Sequence, residues 1–150
     1  MKKKIFITLF IIILISISIY KVYPKSGSFD KLILTYYTHT QFDDLSINKR
    51  CNLKAYNDVN KISEFLSYLK KFQLTEYRGK IPRETDDPYF IEISTTSGSY
   101  LGIIIENKDF IEFDIKTEDG NTISKKYKIN DNNLDMKYIE DFYNNAELVR

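Results

Sequence analysis

Four stretches between residues 89 and 129 constrain this chain more than anything else in it. "YFIEIS", "YLGIIIE", "FIEFDIK" and "TISKKYKI" are rich in β-branched and aromatic residues, with apolar side chains at alternate positions. A strand turns successive side chains to opposite faces, so each run has one apolar face and one mixed face. Tyr89, Ile91 and Ile93, then Leu101, Ile103 and Ile105, then Ile111, Phe113 and Ile115 would line the apolar face. The connectors "TTSGS", "NKD" and "EDGN" are short; the second has hairpin length, and Asp119-Gly120 supplies a pair that tolerates left-handed backbone. The expectation is an antiparallel meander with one face on the core.

The segments around it predict two helices and further strands. "DVNKISEFLSYLKKF" places Val59, Ile62, Phe65, Leu66 and Leu69 at helical spacing, with Asn57 or Asp58 as its cap. "NNLDMKYIEDFYNN" closes the chain as a helix capped by Asn132 or Asn133. Leu134 or Met136, Ile139, Phe142 and Tyr143 form its apolar stripe. "KLILTYYT" (31–38) is β-branched and aromatic and reads as a strand covered on both faces. "HTQFDDLSINKR" reads as a loop, "CNLKAY" as a half-buried strand with Cys51, Leu53 and Ala55 inward, and "LTEYRG" as a short strand. A run of strands with two helices predicts an α+β fold, the helices segregated to one face of the sheet.

The N-terminus is a segment apart. Ile5 to Tyr20 is a run of 16 uncharged residues, a helix of about 24 Å against a hydrocarbon core of about 30 Å. Extension to Tyr23 closes that gap, because Lys21 can snorkel outward while Tyr20 and Tyr23 sit at the interface. The small-residue sites Ser16-Ile17-Ser18 and Ser26-Gly27-Ser28 are badly placed for cleavage, one inside the run and one well beyond it. The reading is therefore an uncleaved transmembrane anchor over 1–23, a linker over 24–30 and an α+β domain over 31–150; the alternative is secretion after signal cleavage. Lys2, Lys3 and Lys4 precede the run and Lys21 and Lys25 follow it, which orients the N-terminus to the cytoplasm and the domain to the outside.

Charge and residue inventory narrow the chemistry. Lys2, Lys3, Lys4 and Lys21 are four of 22 cationic side chains, leaving 18 against 21 acidic ones beyond residue 23, a formal −3. That balance argues against a nucleic-acid partner, which requires a net basic footprint. Cys51 is the sole cysteine, so neither an intramolecular disulfide nor a multi-thiolate metal site is possible. A nucleophilic triad or dyad would have to use His39, the one histidine, and reads more simply as a loop residue. Glu84, Asp86 and Asp87 supply hard oxygen donors for Ca²⁺, but their spacing matches no EF-hand loop and Asp-Pro opens turns. No P-loop, GxGxxG, HExxH or GxSxG is present, and no cofactor is implied.

The outward face of the meander is the remaining candidate. Phe90, Tyr100, Ile104 and Phe110 fall opposite the core positions, among Glu92, Glu112, Asp114 and Lys116. Either a helix covers part of this face or it is an aromatic patch for a partner. With two helices available, covering is the preferred expectation.

The helix "DVNKISEFLSYLKK", the proline loop, the strand "DPYFIEIS" and the helix "LDMKYIEDFYNN" together resemble, in layout, small membrane-anchored extracytoplasmic proteins of Gram-positive bacteria. Many of these are families of unknown function. The resemblance implies a non-enzymatic exported domain and carries over no functional residue. The expected function is a single-pass anchored domain that binds a partner outside the cytoplasm, as a sensor, inhibitor or immunity-type protein. Its contacts would be the membrane through residues 5–23 and a protein partner. The alternatives are an extracytoplasmic hydrolase using carboxylates or His39, and a structural envelope component.

Overall fold

The computed structural model describes residues 10–13, 23–38, 40–56, 58–84 and 87–149. Most of the expected anchor, His39 and Asp86 lie outside the described residues. Of the anchor run, residues 10–13 are helical and exposed. Among the described residues no helix is long and apolar enough to cross a membrane.

The chain runs β1 (Ser26–Ser28), α1 (Phe29–Leu32), a 3-10 turn (Leu34–Tyr37), β2 (Asp44–Lys49), β3 (Asn52–Tyr56), α2 (Val59–Leu69) and β4 (Gln73–Tyr77). It continues with β5 (Tyr89–Ser94), β6 (Tyr100–Ile105), β7 (Phe110–Lys116), β8 (Thr122–Ile129), α3 (Met136–Asn144) and β9 (Glu147–Leu148). The strands form one sheet in the order β1-β4-β8-β7-β6-β5-β2-β3-β9. Every neighbouring pair is antiparallel. The meander β5 to β8 forms its centre, with the predicted residues inward: Ile91, Ile93, Leu101, Ile103, Ile105, Ile111, Phe113 and Ile115 are buried.

α1, α2 and α3 lie against this inner face, and one core joins them to it. Ile62, Phe65 and Leu69 of α2 and Ile139, Phe142 and Tyr143 of α3 belong to the same buried cluster as the sheet residues. Phe65 stacks on Phe142 with ring centroids 5.0 Å apart, and Phe142 meets Tyr56 of β3 at 4.7 Å. At the other end of the sheet, Phe29 of α1 meets Phe113 of β7 at 5.5 Å, and Tyr37 donates to the Tyr100 carbonyl at 2.5 Å.

Several expectations are corrected. Residues 31–38 are helical, not a strand. Phe29, Ile33 and Tyr37 are buried while Lys31 and Thr35 are exposed, a spacing of four that one helical stripe satisfies and a strand does not. The expected linker contains β1, which pairs Ser26 with Thr75, and the start of α1.

The expected loop 39–50 contains β2, whose two apolar residues Leu45 and Ile47 are both buried. Two inward side chains were enough to hold it, because β2 is hydrogen-bonded on both sides, to β3 and to β5. In β3 the faces are reversed: Tyr56 points into the core, whereas Leu53 is 41% exposed. Cys51 is not in the strand but in the β2–β3 turn, where Arg50 and Cys51 both have positive φ (54° and 60°). The closing helix is capped by Asp135, which accepts from the backbone N–H of Lys137 and Tyr138, rather than by Asn132 or Asn133. Asp58 caps α2 as one of its two expected residues, accepting from Asn60 N–H at 2.9 Å.

Candidate functional site

Among the described residues no helix lies over the outer face of the sheet, against the preferred expectation of a cover. With α1, α2 and α3 all packed into the core on the inner side, Phe90 remains 48% exposed. Its neighbours follow from the register. One row across the strands is Leu53, Asn48, Phe90, Ile104, Glu112. The next is Ala55, Ser46, Glu92, Gly102, Asp114, Ser124. A third places Asp44, Ser94, Tyr100 and Lys116 side by side.

These rows enclose a groove of about 320 Å³ whose walls include Leu53, Phe90, Tyr100 and Ile104. Small residues, Ser46 and Gly102, leave its floor low. A Cβ on Gly102 would lie 3.2 Å from the Asp114 Cβ and 3.8 Å from the Tyr100 ring, so these two side chains close in on the glycine and a larger residue would have to push Asp114 aside. A second hollow of about 430 Å³, sharing Ser46 and Leu53 with the first, extends toward β9 past Ala55, Glu147 and Leu148.

Of the four residues proposed from the sequence as an interaction face, Phe90, Tyr100 and Ile104 converge on this groove. Phe110 does not: its ring packs on Tyr77 at 4.7 Å, toward β4. Leu53 and Ala55 were missed because the strand that carries them was read with its faces reversed, and Ser46 because its strand was read as a loop. Gly102 was open to detection, as a lone glycine inside the apolar run "YLGIII".

Charge is distributed unevenly over the face. The charged side chains lining the two hollows are Asp44, Glu92, Asp114 and Glu147, with no Lys or Arg. None of the four has an ion-pair partner within 4.0 Å among the described residues. Acids elsewhere do: Glu112 meets Lys126 at 3.9 Å, Glu76 meets Arg78 at 3.7 Å and Glu106 meets Arg83 at 3.4 Å. Lys116 of the neighbouring strand lies over the Tyr100 ring, 5.8 Å from its centroid.

The other proposed residues are scattered. Asp87 pairs with Arg50 of the β2–β3 turn, and that hydrogen bond holds its carboxyl below the ordinary range and raises the Arg50 guanidinium. Glu84 is exposed in the preceding loop. Thr38 and Thr40, which flank His39, line a hollow with Thr117, Glu118 and Asp119 of the β7–β8 turn, and neither Glu84 nor Asp87 borders it. Among the described residues no three His, Cys, Asp or Glu side chains are grouped to hold a metal ion.

One polar cluster sits where α3 meets the sheet. Lys49 donates to the Tyr89 hydroxyl at 2.6 Å and to Glu140 at 2.5 Å, and Tyr89 also donates to Glu140. Tyr89 is 4% exposed, and its hydroxyl is satisfied by this pair. The arrangement ties α3 to β2 and β5.

No family model, curated protein or solved structure matches the chain.

Proposed function

We propose that this chain is a single-pass membrane protein whose α+β domain lies outside the cytoplasm and binds a partner through the outer face of its sheet. The observation that carries the reading is the uncovered groove around Phe90, Tyr100 and Ile104. An exposed Phe90 and Leu53 beside half-buried Tyr100 and Ile104 at one concavity, on a face that α1, α2 and α3 leave free, mark an interaction surface. The lysine-flanked apolar run of residues 5–23 supports the anchor, with the larger positive cluster on its N-terminal side.

Sheet order adds to this. β1, which follows the anchor, is one edge strand, and β5 lies five strand spacings away, about 24 Å along the sheet. The groove is thus displaced from the membrane attachment and open to partners approaching from outside.

The test uses intact cells expressing the full chain. Cys51 is the sole cysteine and is exposed, so a membrane-impermeant maleimide labels it only if the domain is outside. After crosslinking and membrane solubilisation, the wild-type chain and a Lys61→Asp variant on α2, on the opposite side of the sheet, retain the same partner, while Phe90→Asp loses it. Absence of labelling would refute the topology. Equal retention by Phe90→Asp would refute the assignment of the face.

A further inference from the structure

We infer that the outer-face groove takes a cationic peptide segment, with one Lys or Arg side chain seated over Gly102 between Glu92 and Asp114 and apolar side chains on either side of it. This rests on the reading of the outer face as a binding surface and adds the chemistry of the partner.

The argument starts from the register. Gly102 is paired with Glu92 on one side and Asp114 on the other, so two carboxylates flank a position that has no side chain. They stand two strand spacings apart, about 10 Å, on the groove that Gly102 also lines. Along β6, Tyr100 and Ile104 flank Gly102, two residues away in each direction.

A long basic side chain fits such a site in all its parts. Its methylene stem lies against Ile104 and the edge of the Tyr100 ring, and its charge lies between two acids. A side chain two positions away on an extended partner then reaches Phe90, one strand over.

Charge complementarity selects this occupant over others. The carboxylates of Asp44, Glu92, Asp114 and Glu147 lack ion-pair partners among the described residues, and no cation lines the groove. An acidic peptide, a phosphate group or an anionic lipid surface would meet like charge there. A purely apolar segment would desolvate Glu92 and Asp114 without compensation.

The test is a titration of the full chain in zwitterionic nanodiscs. The probe is a fluorescent capped nonapeptide in which phenylalanine and lysine take alternate non-serine positions, Ser-Phe-Ser-Lys-Ser-Phe-Ser-Lys-Ser. Its counterpart carries glutamate in place of lysine. The lysine peptide is expected to bind at least tenfold more tightly than the glutamate peptide, and to weaken as NaCl rises from about 0.05 to 0.5 M.

Glu92→Gln and Asp114→Asn are each expected to weaken it about three- to fivefold, and the pair about tenfold or more, with unchanged far-ultraviolet circular dichroism. Phe90→Ser, at a half-exposed site that leaves the core untouched, weakens both peptides alike. Equal binding of the two peptides, or binding indifferent to Glu92→Gln and Asp114→Asn, overturns the cationic occupant.

If neither peptide binds while Phe90→Asp still abolishes partner retention on cells, this inference falls and the binding face stands. If retention is also indifferent to Phe90, both fall.

Discussion

Replacement of Phe29 by alanine tests the part of the fold least visible in the sequence. Phe29 is fully buried and belongs to a helix of only four residues. A helix that short has no stability of its own, so α1 exists because Phe29 and Ile33 are packed under the sheet. Truncation removes the contact with Phe113 and leaves a cavity against a central strand, a loss of about 3–5 kcal/mol. With a urea dependence of about 2 kcal/mol per M for a domain of this size, the unfolding midpoint falls by about 2 M. The controls are Lys31→Ala and Thr35→Ala, both exposed, each expected to shift it by less than about 0.25 M.

The assay is equilibrium urea unfolding followed by circular dichroism. In a strand, Ile33, Thr35 and Tyr37 would share a face and Thr35→Ala would matter as Ile33→Ala does. A Phe29→Ala shift below about 0.5 M, or a Thr35→Ala shift of the same size as Phe29→Ala, would refute the helical assignment of 29–37.

Three further outcomes follow from local geometry. Cys51→Gly relieves a left-handed residue in the β2–β3 turn and is expected to stabilise by about 0.5–1 kcal/mol, read as a higher urea midpoint. Asp135→Ala leaves the first N–H groups of α3 without their cap and costs about 1 kcal/mol in the same measurement. Burial pushes the phenols of Tyr127 and Tyr138 up to about 12, and that of Tyr37 higher still, against about 10 in the unfolded chain. The folded state therefore holds these protons more tightly, so their contribution is complete below pH 10 and is lost as pH rises from about 10 through about 12. Urea midpoints between pH 9 and 12 check this, and Tyr127→Phe flattens the decline.

The meander was legible because its strands are long and strictly alternating, so that Ile91, Ile103 and Phe113 announce their face without help from the rest of the chain. β2 was not, since Leu45 and Ile47 are two apolar residues in a polar stretch, and β3 and β5 on either side supply what composition does not. The segment 29–37 failed differently. Leu32, Leu34 and Tyr36 are half-buried and pack against the core's margin, so apolar residues occur on every side and periods of two and four become indistinguishable.

The same limitation hid much of the groove. Phe90, Tyr100 and Ile104 could be assigned outward from strand alternation alone. Whether a helix lay over them depended on where α2 and α3 dock, and that is decided by tertiary contacts such as Phe65 on Phe142 and Tyr89 with Lys49 and Glu140.

The most direct measurement of the central claim is photocrosslinking on living cells, with one photoreactive residue per chain. Positions 53, 90 and 104 sample the groove, and positions 61, 64 and 137 sample the helices on the opposite side. The account predicts a crosslinked partner from the first three positions and none from the last three. Crosslinks of equal yield from both sets, or from the helical positions alone, would contradict it.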